Sequence, residues 1–382
     1  MSRHRYALLA GGGTAGHLQP AIAIAEALAA RGHDRADIEF VGSSRGQDRE
    51  ALGGHGFPVT LLPGRGIARS LRPRVVLQNL GAVVGLIAAA VVALGLVWRR
   101  RPRVVVSVGG YASLAASTAA VLLGVPLVLV NVDAVPGAAN RLFGRFARAS
   151  AVGWEDTRLP RAVVTGTPVR PAIAAVRRGP DDRAAARRQL GLPVDRATVV
   201  VFGGSLGARR INDGVAGLAG RWADRPDRSI YHIVGRRDWE AVTAAAGPPA
   251  EAGVVVRVPY EERMDTAYTA ADVVVCRAGA MTVAELSVAG VPSVLVPLPG
   301  APGDHQTANA RVLERAGGAV LLPDAECDGD RLGDLLDGLL DDPSGLVAMG
   351  RAAAAVGHPD AADAGARVVE VHARPATRGA PA

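Results

Sequence analysis

The chain has 382 residues, is 49% hydrophobic but only 4% aromatic, and carries 43 basic against 36 acidic residues for a net charge of +7. That length holds two domains with a large aliphatic core, which excludes a disordered chain or a small disulfide-stapled one, and Cys276 and Cys327 by themselves make no metal cluster. The positive balance favours an anionic partner, but all of it is arginine, with no lysine, so it reads as compositional bias as much as function.

A short apolar run, Tyr6 to Ala10, predicts a buried parallel strand. Gly11, Gly12 and Gly13 follow, then Thr14 to Gly16, and helical spacing sets in from Pro20 with Ile22, Ile24 and Leu28. Strand, glycine loop and helix in that order put backbone N–H groups at a helix N-terminus, where an anion binds. His17 closes the loop, which matches neither the dinucleotide fingerprint nor a Walker A motif. The first ten residues are too short and too interrupted for a signal peptide. Ile38–Val41 and Val59–Leu62 are the next expected strands. Leu80–Trp98, uncharged and followed by Arg99, Arg100 and Arg101, has the length of a membrane span. Its Ala and Gly content, and the strand Val104–Val108 close behind it, favour instead a helix over Val75–Val97 that is buried or lies at a membrane surface. Gly109-Gly110-Tyr111, a small-residue helix from Ser113, the strand Pro126–Val130, a helix over Ala138–Ala147 and short strands at Ala151–Gly153 and Ala162–Thr165 complete this half. Strands alternating with helices predict a parallel sheet covered on both faces.

At Thr167-Pro168-Val169-Arg170-Pro171 the alternation breaks. Residues 167–182 read as a linker between a first domain over 1–166 and a second over 183–374, with a Pro- and Ala-rich tail at 375–382. The second half restarts with a strand, Thr198–Phe202, and a second glycine loop, Gly203 to Ala208, in which Ser205 offers a hydroxyl to a phosphate. Strands at Tyr231–Val234, Val254–Val258, Val273–Cys276, Ser293–Pro297 and Ala319–Leu322 follow. The expected class is α/β, two Rossmann-like domains facing a cleft, with ligands at the carboxyl ends of the strands.

Cys276 to Glu285 joins a strand end, a small-residue loop and a helix expected to begin near Thr282. Thr282 and Glu285 fit a capping box. Alternatively, Glu285 is a carboxylate whose two oxygens accept both hydroxyls of a ribose. Asp304, His305, Gln306 and Asn309 gather at a helix start, as a hydrogen-bonding set for a polyol or as an N-cap with a solvated first turn. No HExxH, cysteine cluster or G-x-S-x-G elbow supports a metal site or a nucleophilic hydrolase.

The segments GGGTAGHLQPAIAIAEAL, VSVGGYAS, GTPVR, GGSLGARRIND, CRAGAMTVAEL and PLPGAPGDHQTANARVL, in this order from about Arg5 to Pro323, resemble the MurG family. Those are bacterial transferases that move N-acetylglucosamine from UDP-GlcNAc onto undecaprenyl-pyrophosphoryl-N-acetylmuramoyl-pentapeptide (lipid I). The resemblance implies the GT-B fold and an inverting transfer with no metal, no other cofactor and no nucleic acid. It also implies a peripheral position on the cytoplasmic side of the cell membrane, with lipid I and an anionic membrane surface as partners.

Carried over by motif, it implies that Thr14, Ala15 and Gly16 lie at the donor–acceptor cleft with His17, the first candidate base, beside them. Arg170 and Ser205 would face the donor diphosphate. Ala280, Met281, Thr282, Val283, Ala284 and Glu285 would line the nucleotide, with Glu285 on the ribose. Tyr260, Glu261 and Met264 would stand at the uracil, and Gln306 and Asn309 would meet sugar hydroxyls. On the membrane side, Leu86, Ile87, Leu94, Leu96, Val97 and Trp98 are expected as an apolar face beside Arg99, Arg100, Arg101 and Arg103.

The chain departs from the family in two places. Where the family has His-Glu-Gln-Asn, this chain has Val130-Asn131-Val132-Asp133, so Asp133 replaces an Asn that contacts the sugar and becomes a rival base. Leu206 stands where Gln is common. These departures leave open a related transferase acting on another lipid or natural product, or a protein like UDP-GlcNAc 2-epimerase.

Overall fold

The computed structural model describes residues 4–12, 15–44, 48–63, 73–204, 207–245 and 254–375; the side chains of 15, 49–51, 73–84 and 254 are not among those described. The chain divides into two compact units, Met1–Val169 with Pro359–Ala382, and Arg170–His358.

In chain order the first unit contains β1 (Ala7–Gly11), α1 (Ala15–Ala30), β2 (Ile38–Ser43), α2 (Asp48–Gly53), β3 (Val59–Leu62), α3 (Pro73–Arg100), β4 (Val104–Gly109), α4 (Tyr111–Leu122), β5 (Leu127–Asn131), α5 (Ala138–Phe143), β6 (Ala149–Val152) and β7 (Ala162–Val164). Its strands run parallel in the order β3-β2-β1-β4-β5-β6-β7. The second unit contains α6 (Pro171–Ala174), α7 (Pro180–Gln189), β8 (Ala197–Phe202), α8 (Arg209–Arg221), β9 (Arg228–Ile233), α9 (Trp239–Ala245), β10 (Val254–Val258), α10 (Met264–Ala270), β11 (Val273–Cys276), α11 (Ala280–Ala289), β12 (Ser293–Leu295), α12 (His305–Ala316), β13 (Ala319–Leu321), α13 (Gly329–Leu340) and α14 (Pro343–Ala355). Its sheet is again parallel, in the order β10-β9-β8-β11-β12-β13. The last helix, α15 (Ala361–His372), belongs to the first unit.

In both sheets the order reverses beside the first strand, between β1 and β4 and between β8 and β11. Ligands of open parallel sheets bind outside the carboxyl ends of the strands at such a point. Val104, Val105 and Val106, and Val199, Val200 and Val201, are fully buried, as strands covered on both faces require.

Four expectations are corrected. Helix α1 begins at Ala15, not Pro20, so Gly16 and His17 sit in its first turn. Pro20 is tolerated one turn in, at the cost of the intrahelical donor to the Gly16 carbonyl. Residues 170–182 are not a free linker: Ile173 is 1% exposed, and the Arg178 guanidinium donates to the carbonyls of Ala271 and Gly290 in the second unit. The second domain does not extend to 374. Helix α15 packs on α1, where Gly365 lets Ile24 approach and Arg31 pairs with Asp363 and Glu370 at 2.9 and 2.8 Å.

The fourth lies in α3, where the sequence predicts Val97 on the outer apolar face. Among the described residues no helix is long and apolar enough to cross a membrane. Ala89, Ala93 and Val97 share a core with Ala112, Ala115, Ala116 and Ala119 of α4, so small side chains let the two helices approach closely. The bulky residues face outward: Ile87, Val91 and Trp98 are 61, 65 and 62% exposed. Val97 is therefore core rather than surface, and Leu86, Leu94 and Leu96 are partly buried against that core.

Candidate active site

In the first unit, β1 and β4 end together with a register shift that sets Gly11 opposite Gly109. Gly109 and Gly110 have φ of +120° and +84°, a region that only glycine enters freely. Both are also crowded: a Cβ at Gly110 would stand 2.2 Å from the Gly12 carbonyl oxygen, and one at Gly109 2.8 Å from His17 Nε2. The Gly11-Gly12 and Gly109-Gly110 turns are thus in backbone contact, and the imidazole lies against Gly109. Ser113, fully buried in α4, clasps them. Its Oγ accepts from the Gly109 N–H at 2.9 Å and shares its proton between the carbonyls of Ala10 and Gly109 at 2.6 and 2.8 Å. Sequence reasoning did not single out Ser113, although its place behind Gly-Gly-Tyr-Ala was the available signal.

The loop after β5 is held as firmly. Asn131 is buried, donates to the Asp133 carbonyl at 2.6 Å, and accepts from Asn140 Nδ2 at 3.0 Å and from the Gly137 N–H at 3.3 Å. Trp154 Nε1 and Thr167 Oγ1 donate to the Val132 carbonyl at 3.1 and 3.3 Å. The departure at Asn131 is therefore a loop-ordering residue. His17, Gly109, Gly110, Tyr111, Asn131 and Asp133 line one cavity of about 520 Å³, so the structure brings both candidate bases to the same space.

In the second unit, β8 runs into Gly203 and Gly204, and α8 starts after Ala208 with no side-chain cap on its first turn. Here too the glycines are required. A Cβ at Gly203 would meet Ala208 at 2.4 Å, and one at Gly207, whose φ is +87°, would meet the Val234 carbonyl oxygen at 2.3 Å. This loop, with Arg209, Arg210, Arg237, Arg277, Leu298 and Gln306, lines a cavity of about 720 Å³. Arg277 pairs with Asp324 at 2.6 Å, and Arg237 with Asp238 at 2.7 Å. Four arginines against two carboxylates leave the cavity positive, which suits an anion. Gln306, which lines this cavity, accepts from the Leu298 N–H at 2.9 Å through Oε1.

The capping box at Thr282 does not form. Helix α11 begins at Ala280 with Gly279 as its N-cap, so Glu285 is a mid-helix residue. It is buried and accepts from the Tyr268 hydroxyl at 2.9 Å, with Arg170 Nη2 3.7 Å from its other oxygen. Burial pushes its carboxyl above the usual range, against Arg170 and Tyr268, which pull it down. Met281 and Thr282 share its helix face and are half-buried. Val283 and Ala284 are 0 and 2% exposed, so their side chains are core, and Ala280 is nearly so.

Other expected residues divide. Arg170 is not among the residues lining the arginine-rich cavity; its partners are Glu285 and the Glu262 carbonyl. Asn309 is fully buried and donates to the Ala278 carbonyl at 3.2 Å, which ties α12 to the loop before α11. Glu261 accepts from the Tyr231 hydroxyl at 2.6 Å and the Arg263 N–H at 2.8 Å, which fixes the loop after β10. Tyr260 is 41% exposed under the Arg236 guanidinium, and Met264 opens α10. Thr14, Ser205 and Leu206 lie outside the described residues, as does the side chain of Ala15, while Gly16 is half-buried in α1.

Comparison with known proteins agrees with this two-unit layout. The Glycosyltransferase family 28 N-terminal domain matches residues 7–152, and the Glycosyltransferase family 28 C-terminal domain matches residues 198–364. The chain is 38% identical to the UDP-N-acetylglucosamine--N-acetylmuramyl-(pentapeptide) pyrophosphoryl-undecaprenol N-acetylglucosamine transferase of Desulforudis audaxviator, over 97% of this chain and 99% of that one. It is 42% identical to the transferase of the same name from a Nocardioides species, over 95% of this chain and 96% of that one. Among solved structures it is similar to Acinetobacter baumannii MurG, with a TM-score of 0.75 and 27% identity, covering 97% of this chain and 99% of that one.

Proposed function

The chain belongs to the MurG family of family 28 glycosyltransferases, and from that premise we propose how its residues transfer N-acetylglucosamine from UDP-GlcNAc to lipid I, giving lipid II for peptidoglycan. The observation that carries the activity is the identity to such transferases along nearly the whole chain, which favours it over the epimerase alternative. The fold is the GT-B pair of Rossmann-like domains.

In this reading the acceptor's C4 hydroxyl attacks the anomeric carbon of the sugar as UDP leaves, inverting its configuration. The positive cavity at Gly203–Ala208 takes the diphosphate, where N–H groups and arginines meet the charge that grows on the leaving group. His17, whose ring is held against Gly109 at the first unit's cavity, removes the proton of the attacking hydroxyl as general base; Asp133 shares its cavity as the rival. Glu285 takes the ribose through its oxygen not held by Tyr268, and Gln306 donates to the sugar. Titration with a panel of nucleotide sugars tests the donor: UDP-GlcNAc is expected to bind tightest. Tighter binding of another nucleotide sugar would move the reading to a related transferase.

Glu285→Ala is expected to raise the KM for UDP-GlcNAc about 10- to 100-fold, the worth of a hydrogen bond to a charged group, and to change kcat by less than about threefold. The ribose lies away from the reacting bond, so the lost interaction is mostly uniform binding. Steady-state kinetics checks this, and a collapse of kcat with unchanged KM contradicts it.

The acceptor stays in the bilayer, so the protein attaches peripherally to the cytoplasmic leaflet. Ile87, Val91, Val92 and Trp98 form an exposed apolar stripe that ends at exposed Arg99 and Arg101, a pattern that suits an anionic interface. Arg100 contributes less, because its guanidinium pairs with Glu39 at 3.3 Å. Replacing Arg99 and Arg101 together with Gln is expected to weaken sedimentation with anionic vesicles by about tenfold or more, at about 1 kcal/mol per arginine, and to leave UDP binding unchanged. Undiminished binding that salt does not reverse would contradict this placement.

A further inference from the structure

Arg237 and Asp238 belong to none of the motifs above, yet they meet the glycine loop directly. They follow β9 in a turn where Gly235 has φ of +92°. The turn abuts the loop so closely that Gly207 has no room for a side chain against the Val234 carbonyl. Arg237 clasps Asp238 with two bonds, Nε to Oδ1 at 2.8 Å and Nη2 to Oδ2 at 2.7 Å, and Nη2 also reaches the Gly207 carbonyl at 3.3 Å. Arg209 Nε lies 3.6 Å from the same carboxylate. Asp238 is 5% exposed, whereas the side chains of Arg237 and Arg209 are 46 and 81% exposed and line the cavity.

Buried neighbours hold Asp238 in turn. Asn212 Nδ2 lies 3.3 Å from Asp238 Oδ2 and 3.2 Å from the Val234 carbonyl, and its Oδ1 is 2.9 Å from His232 Nε2. Burial pushes the His232 imidazole down to about 4, so the ring is neutral at working pH. A neutral ring donating from Nε2 fixes which way the Asn212 amide faces. The row His232, Asn212, Asp238 therefore ends in an arginine that lines the cavity.

We infer that Arg237 is a further binding residue for the donor's diphosphate and that Asp238 is the positioning residue that aims it, together with Arg209, at the glycine loop. The inference rests on the UDP-sugar reading of the cavity. It singles out, among the four arginines that line the cavity, the one held against the glycine loop by a buried carboxylate, since Arg170 sits with Glu285. A guanidinium suits the role because Nε and Nη2 stay on Asp238 and the Gly207 carbonyl while both hydrogens of Nη1 remain for phosphate oxygens. Asp238 also neutralises the pair when no anion is present, so the fork is pre-organised without an uncompensated charge.

The test is calorimetric titration of UDP and of uridine into the full chain and into Arg237→Gln, Arg237→Lys and Asp238→Asn. Arg237→Gln is expected to weaken UDP about tenfold or more, as for loss of a charge-assisted bond, and to leave uridine within about twofold. Arg237→Lys is expected to fall between Arg237→Gln and the unaltered chain, because it keeps the charge but not the fork. Asp238→Asn is expected to weaken UDP about threefold or more with uridine unchanged, through the loss of aim. Arg237→Gln leaves the buried Asp238 carboxylate with Asn212 and Arg209, so its melting temperature is expected to fall, and the uridine titration separates that loss from the loss of a phosphate contact. UDP affinity unchanged in Arg237→Gln, or UDP and uridine weakened equally, overturns the inference. Failure of the unaltered chain to bind UDP at all overturns the donor reading, and this inference with it.

Discussion

Replacing His17 with Ala is expected to lower turnover by about 10²- to 10⁴-fold, the range for removing a general base, while UDP binding stays within about twofold. The expectation comes from the place of the ring. His17 lies in the first turn of α1, and its imidazole is pressed to the Gly109 backbone closely enough to exclude a Cβ there. A ring so confined is held for one approach direction, which a proton transfer in the transition state needs. Asp133 lines the same cavity, so Asp133→Asn is the companion experiment. The reading expects it to cost less than about tenfold, as a group on the sugar rather than on the transferred proton. Steady-state turnover with saturating donor and acceptor measures both. A larger loss for Asp133→Asn than for His17→Ala would transfer the role of base to the carboxylate.

The second large effect is expected at Gly110. An Ala there would have to hold φ of +84° and place its Cβ 2.2 Å from the Gly12 carbonyl oxygen. The neighbour is backbone, fixed by β1, so it cannot rotate away as a side chain would. Left-handed strain and the clash together are expected to destabilise the chain by about 3 kcal/mol or more. Relief by parting the two loops would shift His17 and cost about 100-fold in turnover, as a misplacement of about 1 Å does. Thermal unfolding and kinetics on Gly110→Ala check both parts. Gly338→Ala in α13 is the control, because a Cβ at Gly338 would meet nothing within 4 Å; equal behaviour of the two variants would contradict the account.

How much of this was legible in the sequence differs by element. The strands announced themselves, since valine-rich runs such as Val104–Val108 and Val273–Cys276 are buried on both faces, and the first ends at glycines. The Gly203–Ala208 loop and the Gly109-Gly110 pair were legible as glycines for a similar reason: only glycine tolerates the contacts made at Gly207 and Gly110. What the sequence hid were pairings between distant segments. Nothing local marks Asp363 and Glu370 as partners of Arg31, so the return of α15 to the first unit was invisible.

Pattern matching also misled where a motif was satisfied by chance. Thr282 and Glu285 have capping-box spacing, but Gly279 and not Thr282 ends the extended loop, so the helix starts early and the carboxylate is freed for another role. Helix α3 was ambiguous for a different reason. It is apolar all round, so periodicity does not say which face is buried. The answer depended on α4, whose alanines accept Ala89 and Ala93 and leave Ile87, Val91 and Trp98 outside. An exposed row of large apolar residues is the informative departure from the rule that such residues go inside. Arg237 and Asp238 could not be read at all, because their meaning lies in a buried row that joins β9 to α8.

The account stands most directly on the fate of lipid I. Vesicles containing lipid I, incubated with the full chain and UDP-GlcNAc labelled in its sugar, are predicted to gain label in a lipid-linked disaccharide with inverted anomeric configuration, one UDP being released for each sugar transferred. Label that stays out of the lipid while the nucleotide sugar is hydrolysed or epimerised at the same rate without lipid I would contradict it.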